Sequence, residues 1–357
     1  MSQETILVID MPTLGRHNFC MHIGFSITAL RWSLCLSLKG ILILSQLQSI
    51  LAQEVRLSDL STQRTLILGD SITYGGQYVA NIEAFIRLQQ PNTNPFILNL
   101  GLPSETVSGL SEPGHAGGSF PRPDLHERLD RTLKAVKPQV VLACYGMNCG
   151  IYHPYAEDRF EAFKVGIRRL HDRVVASGAR MVHLTPPVFD PYPIASRTLP
   201  AESPVFSGPY VGYDEVLTLY SGWLVAMRAE GWQVIDLHGP MQAMLNTGRA
   251  SDPSFLLAGD GVHMNDRAHW QTARWVLTAL GGDPSLLTFD SAMAMAASRL
   301  KDPTSFLSLI KQRQRLLCDA WLTHIGHLRP SMNKGLALDA AQASASELEF
   351  KIQALLP

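Results

Sequence analysis

From Arg64 onward the chain alternates between two hydrophobic rhythms. Apolar runs unbroken by polar alternation, "TLILG" (65–69), "FILNLG" (96–101), "QVVLACYG" (139–146), "RMVHLTPP" (180–187) and "QVIDL" (233–237), are separated by longer stretches in which apolar residues recur every three or four positions. These stretches are "QYVANIEAFIRLQ" (77–89), "PDLHERLDRTLKAVK" (123–137), "AEDRFEAFKVGIRRLHDRVVASG" (156–178), "YDEVLTLYSGWLVAMRAEG" (213–231) and "AHWQTARWVLTAL" (268–280). Unbroken runs of this kind are strands buried on both faces, and helices between them are the crossovers of a parallel sheet. The pattern therefore predicts five βα units in an α/β fold, a three-layer α/β/α sandwich around a central parallel sheet of about five strands.

Three regions leave this rhythm. The loops "PSETVSGLSEPGHAGGSFPRP" (103–123) and "PPVFDPYPIASRTLPAESPVFSGPY" (186–210) are rich in Gly, Pro and Ser and each follows the C-terminal end of a strand. Ligands of open parallel sheets bind at that edge, so both loops are candidate substrate walls, with tolerated insertion as the plainer reading. After residue 290 the pattern becomes that of two or three amphipathic helices, a helical appendage that packs on the sandwich or mediates self-association. The expected organisation is an N-terminal extension over 1–53, a core domain over 62–290 and the appendage over 291–357. Within the extension, Arg31 and Lys39 precede the apolar run Gly40–Ser45, and "ILAQE" follows. This order describes a signal peptide cleaved after Ala52, hence export to the periplasm or cell exterior, with no membrane span after cleavage. A covering helix of a cytoplasmic protein and an uncleaved anchor are the alternatives, and Met21 is an alternative start.

Composition narrows the chemistry. Apolar residues make up 46% of the 357 and charged residues 17%, with 30 Lys+Arg against 31 Asp+Glu. That balance argues against disorder and against a nucleic-acid partner. The five cysteines, Cys20, Cys35, Cys144, Cys149 and Cys318, lack the spacing of a zinc site or a disulfide framework. Cys144 lies on a strand pattern and reads as core.

Two short motifs carry reactive groups. In "RTLILGDSIT" the first strand runs into Gly69-Asp70-Ser71, which places Ser71 where a side chain is held exposed at the sheet edge. A serine hydroxyl is a weak nucleophile and needs a base oriented by a third group. "AGDGVHMNDRAHW" sets Asp260 three residues before His263 in a glycine-containing loop, a spacing at which the acid can orient the imidazole that takes a serine proton.

Gly-Asp-Ser after the first strand, "NLG" after the second, "GMN" after the third and "DGVH" before the last helix resemble, in this order, the four blocks of the SGNH/GDSL hydrolase family over roughly residues 64–280. The resemblance implies a flavodoxin-like hydrolase fold and a serine esterase with Ser71 as nucleophile, His263 as base and Asp260 as orienting acid, acting without metal or other cofactor. It implies an oxyanion hole made by the main chain of Ser71, by the Asn148 side chain and by a second-block residue. That block departs from the family, with Ser104 where a glycine is expected; Gly101 is the fallback, as donor or as the hinge ending the strand. His115 and Tyr145 are candidates for substrate contact, with loop and packing roles as the alternatives. The expected substrate is a small-molecule or polysaccharide ester, in particular a carbohydrate O-acetyl ester. A non-catalytic glycan-binding or assembly module and an O-acyltransferase are the competing functions.

Overall fold

The computed structural model describes residues 54–205 and 207–357. The expected signal peptide and the rest of the 1–53 extension lie outside these residues. Five strands, β1 (Thr65–Gly69), β2 (Ile97–Asn99), β3 (Val140–Cys144), β4 (Arg180–Leu184) and β5 (Gln233–Ile235), form one sheet in the order β2-β1-β3-β4-β5. Every neighbouring pair is parallel, with Thr65 opposite Ile97 on one side and Val140 on the other. All positions of β1, β3 and β4 are buried, which accounts for their lack of polar alternation. The chain leaves β1 for β2 on one side and returns to β3 on the other, so the crevice above β1 is the switch point at which such sheets bind ligands.

The helices are α1 (Leu57–Thr62), α2 (Ser71–Gly75), α3 (Gln77–Gln89), α4 (Leu125–Val136), α5 (Glu157–Ala176), α6 (Tyr213–Ala226), α7 (His238–Ser251), α8 (Asp266–Ala279), α9 (Pro284–Leu287), α10 (Ala292–Ala297), α11 (Pro303–Ile325) and α12 (Leu338–Gln353). Helix α7 was not expected from the pattern, because "HGPMQAMLNTGRAS" carries a Gly-Pro pair and a second glycine. Pro240 falls in the first turn, where no intrahelical N–H bond is lost. Gly248 lies where a Cβ would come within 2.4 Å of the Phe255 ring. The breakers are thus compatible with the helix they interrupt in sequence.

The C-terminal helices pack on the sandwich. α11 lies against α3 and β2, where the Gln314 amide donates to the Ile97 carbonyl (3.0 Å) and so covers the edge of the sheet. α12 returns along α11 and inserts Glu349 into a buried charge cluster: Arg87 bonds Glu83 (2.8 Å) and Glu349 (2.7 Å), and Arg313 reaches Glu349 at 3.2 Å. α11 also touches the turn after β1, with Arg315 donating to the Tyr74 carbonyl (2.7 Å) and the Tyr74 hydroxyl to Asp319 (3.1 Å). Among the described residues no helix is long and apolar enough to cross a membrane.

Candidate active site

The turn after β1 is built for close approach. A Cβ on Gly69 would lie 2.1 Å from Thr73 Oγ1 and 2.9 Å from the Cys144 carbonyl, so only glycine lets the chain bend there. Asp70 caps α2, its carboxylate accepting from the Ile72 N–H (2.9 Å), and burial pushes its pKa up to about 6. Ser71 is the first residue of α2, so its own N–H has no intrahelical acceptor.

The second motif meets the first in space. His263 Nε2 stands 2.9 Å from Ser71 Oγ, and His263 Nδ1 stands 2.6 Å from Asp260 Oδ2. Asp260 Oδ1 accepts from the N–H groups of Val262 (3.0 Å) and His263 (2.7 Å). Burial works against its charge, but the bonds from the His263 side chain and these two N–H groups hold the carboxyl below its ordinary range. An ionised Asp260 fixes the proton on Nδ1 and leaves Nε2 as an acceptor for the serine hydroxyl. The loop is pinned from behind by the Asp190 N–H, which donates to the Gly261 carbonyl (2.9 Å), and by the Asp190–Arg249 ion pair. Gly261 has φ +80°, and a Cβ there would sit 2.5 Å from the Asp190 carbonyl. The His263 and Asp260 side chains are 53% and 49% exposed, so the pair is open to water.

The structure separates Ser104 from Gly101. Ser104 adopts φ +68°, the conformation expected of the glycine it replaces, and among the described residues its N–H makes no hydrogen bond. The Gly101 N–H is committed to Asn99 Oδ1 (2.9 Å), and a Cβ at Gly101 would lie 2.3 Å from the Tyr74 nitrogen. Gly101 is therefore a packing glycine at the end of β2, not a donor or a substrate contact. Tyr145 is corrected likewise: it is buried and its hydroxyl donates to Glu105 (2.6 Å), which puts it behind the site.

Asn148 is buried, with Nδ2 donating to the Glu105 carbonyl (3.2 Å) and Oδ1 accepting from Arg122 Nη1 (3.0 Å) and the Tyr152 hydroxyl (3.1 Å). Arg122 and Tyr152 were not anticipated. "FPRPD" gives no sign that its arginine meets an asparagine 26 positions later, whereas the backbone supplies a late clue: Ile151 and Tyr152 have φ +50° and +59°, unusual for such side chains. Beside Asp260 a cavity of about 840 Å³ opens between the two long loops, the first contributing Glu112 and His115 and the second Phe189, Ile194 and Arg197. His115 bonds Glu112 (3.1 Å), and burial together with the Arg122 charge lowers its pKa. Among the described residues no cluster of three or more His, Cys, Asp or Glu side chains is placed to hold a metal.

No curated protein matches the chain. Among solved structures it is similar to BT4096, a gut microbial diltiazem-metabolizing enzyme, at 22% identity and TM-score 0.48 over 61% of this chain, spanning only 47% of that protein. It is also similar to Axe2, an acetylxylan esterase from Geobacillus stearothermophilus, at 19% identity and TM-score 0.46 over 62% of this chain and 96% of that one. The model of the GDSL-like lipase/acylhydrolase family matches residues 67–271, more than half of the sequence, from within β1 through the His263 loop. The chain belongs to the GDSL-like lipase/acylhydrolase family and is a serine hydrolase acting on ester bonds.

Proposed function

We propose that Ser71, His263 and Asp260 form the catalytic triad of an esterase whose substrate is an O-acylated, and specifically O-acetylated, carbohydrate. The observation that carries the catalytic part is the hydrogen-bonded line from Ser71 Oγ through His263 to Asp260, at 2.9 and 2.6 Å. Ser71 attacks the ester carbonyl while Nε2 takes its proton, and Asp260 stabilises the imidazolium. The oxyanion is received by the main-chain N–H groups of Ser71 and Ser104 and by the remaining Nδ2 hydrogen of Asn148. His263 returns its proton to the departing alcohol, and a water activated by the same imidazole then releases the acid from the acyl-enzyme. The half-exposed His263 leaves the acyl-enzyme open to water, the acceptor that hydrolysis needs.

The substrate class rests on the cavity beside Asp260. Its wall carries Glu112, His115, Arg197 and Ser207 among aromatic and aliphatic faces, a mixture suited to hydroxyl groups on a ring with apolar faces. Covalent labelling with a fluorophosphonate probe, read by mass spectrometry, is expected to modify Ser71 and to fail in the Ser71→Ala and His263→Ala proteins. A Ser71→Ala protein with full esterase activity overturns the triad. Acetylated xylan is expected to be turned over in preference to a medium-chain nitrophenyl ester, and the opposite preference overturns the carbohydrate assignment alone.

A further inference from the structure

A side-chain amide can serve an oxyanion only if its nitrogen, and not its oxygen, faces the developing charge. The two ends are nearly the same size, so the surroundings must choose between them. Around Asn148 both lone-pair directions of Oδ1 are taken, by Arg122 Nη1 at 3.0 Å and the Tyr152 hydroxyl at 3.1 Å. One Nδ2 hydrogen goes to the Glu105 carbonyl at 3.2 Å, which leaves one N–H unused. Tyr152 can donate or accept and would follow either orientation. A guanidinium has only donors, so a flipped Asn148 would set two N–H groups against it.

Arg122 is itself held rigidly. Nε and Nη2 fork onto Glu112, both at 2.6 Å, its backbone N–H donates to Ser111 Oγ at 2.9 Å, and the guanidinium lies 5.3 Å from the Tyr152 ring centre. Its side chain is 6% exposed, so its charge is screened far less than that of a surface arginine. A buried cation on the oxygen of an amide draws electron density towards that end and makes the N–H at the other end a stronger donor.

We infer that Arg122, clamped by Glu112, is a positioning residue for the ester hydrolysis: it holds the Asn148 amide with Oδ1 turned inward and strengthens its free N–H for the oxyanion. This rests on the esterase reading of the same site. Arg122 does not touch the reacting atoms, and its effect runs through Asn148 alone.

The test is a double-mutant cycle on 4-nitrophenyl acetate, with melting temperature recorded for each protein and Ser71→Ala as the reference. Asn148→Ala is expected to lose about 100- to 1,000-fold in kcat. Arg122→Met is expected to lose about 10- to 100-fold in kcat with KM within about twofold, the signature of an interaction used only in the transition state. Arg122→Lys and Glu112→Gln should lose less, in that order. The deciding comparison is Arg122→Met in the Asn148→Ala background, where it is expected to have no further effect. Losses that multiply, or a KM that rises while kcat stands, overturn the positioning role and leave the esterase intact. An active Ser71→Ala protein overturns the esterase reading itself. If Arg122→Met does not fold, Glu112→Gln carries the same cycle with the arginine still in place.

Discussion

Ser104 holds the torsion of a glycine without being one. A left-handed φ costs a residue with a Cβ roughly 1 kcal/mol or more, and the surrounding loop maintains it, which fits a position whose main-chain N–H matters more than its side chain. Ser104→Gly should therefore keep kcat within about twofold of wild type without lowering the melting temperature. Ser104→Pro, which removes the N–H and cannot reach positive φ, should lose about 100-fold or more in kcat on 4-nitrophenyl acetate. An active proline variant would remove Ser104 from the oxyanion hole. At this scale the reactive side chains were legible because each sits in a short motif, Ser71 and Asn148 just past the end of a strand and Asp260 and His263 in the loop before α8. Arg122 and Tyr152 were not, since they act on Asn148 through contacts made only in the folded chain. Tyr145 was misplaced for a related reason: three positions before Asn148 in sequence, it turns into the core towards Glu105.

The strand, turn and helix that carry Ser71 form one device. Gly69 permits the bend, Asp70 caps the following helix and Ser71 opens it. The cap is expensive, because a fully buried carboxyl has its pKa raised to about 6 from 3.8. A proton is then bound more tightly in the folded than in the unfolded chain, so this group's favourable contribution is complete below about pH 4 and is lost as pH rises through about 6. Asp70→Asn keeps an N-cap acceptor and removes the buried charge. It should raise stability at pH 7 by on the order of 2 kcal/mol and by almost nothing at pH 4, seen as a melting-temperature gain that fades on acidification. A gain independent of pH would exclude the buried charge as its cause. The parallel sheet was readable because strands buried on both faces lose polar alternation. Helix α7 was hidden because its Gly-Pro pair signals a turn unless one knows that it falls in the first helical turn.

At the scale of the molecule, the helices after residue 290 are bound to the sandwich by charges that would be costly to leave unpaired. Glu349→Ala strands Arg87 and Arg313 around a single remaining carboxylate, Glu83, and should destabilise the protein by about 3 kcal/mol in chemical denaturation. A change below about 1 kcal/mol would mean that α12 is only loosely docked. The sequence showed that these helices exist but not where they bind. Their partners are a carboxylate and a guanidinium on α3 more than 200 positions away, and charge patterning on one helix does not name its counterpart on another. Because α11 grips Tyr74 by both its carbonyl and its hydroxyl, three residues from the nucleophile, the end of the chain serves as the anvil against which the reactive turn is held. Heat inactivation and loosening of the C-terminal helices should then be a single event, and an enzyme trimmed at this end would lose its sharpness before it lost its shape.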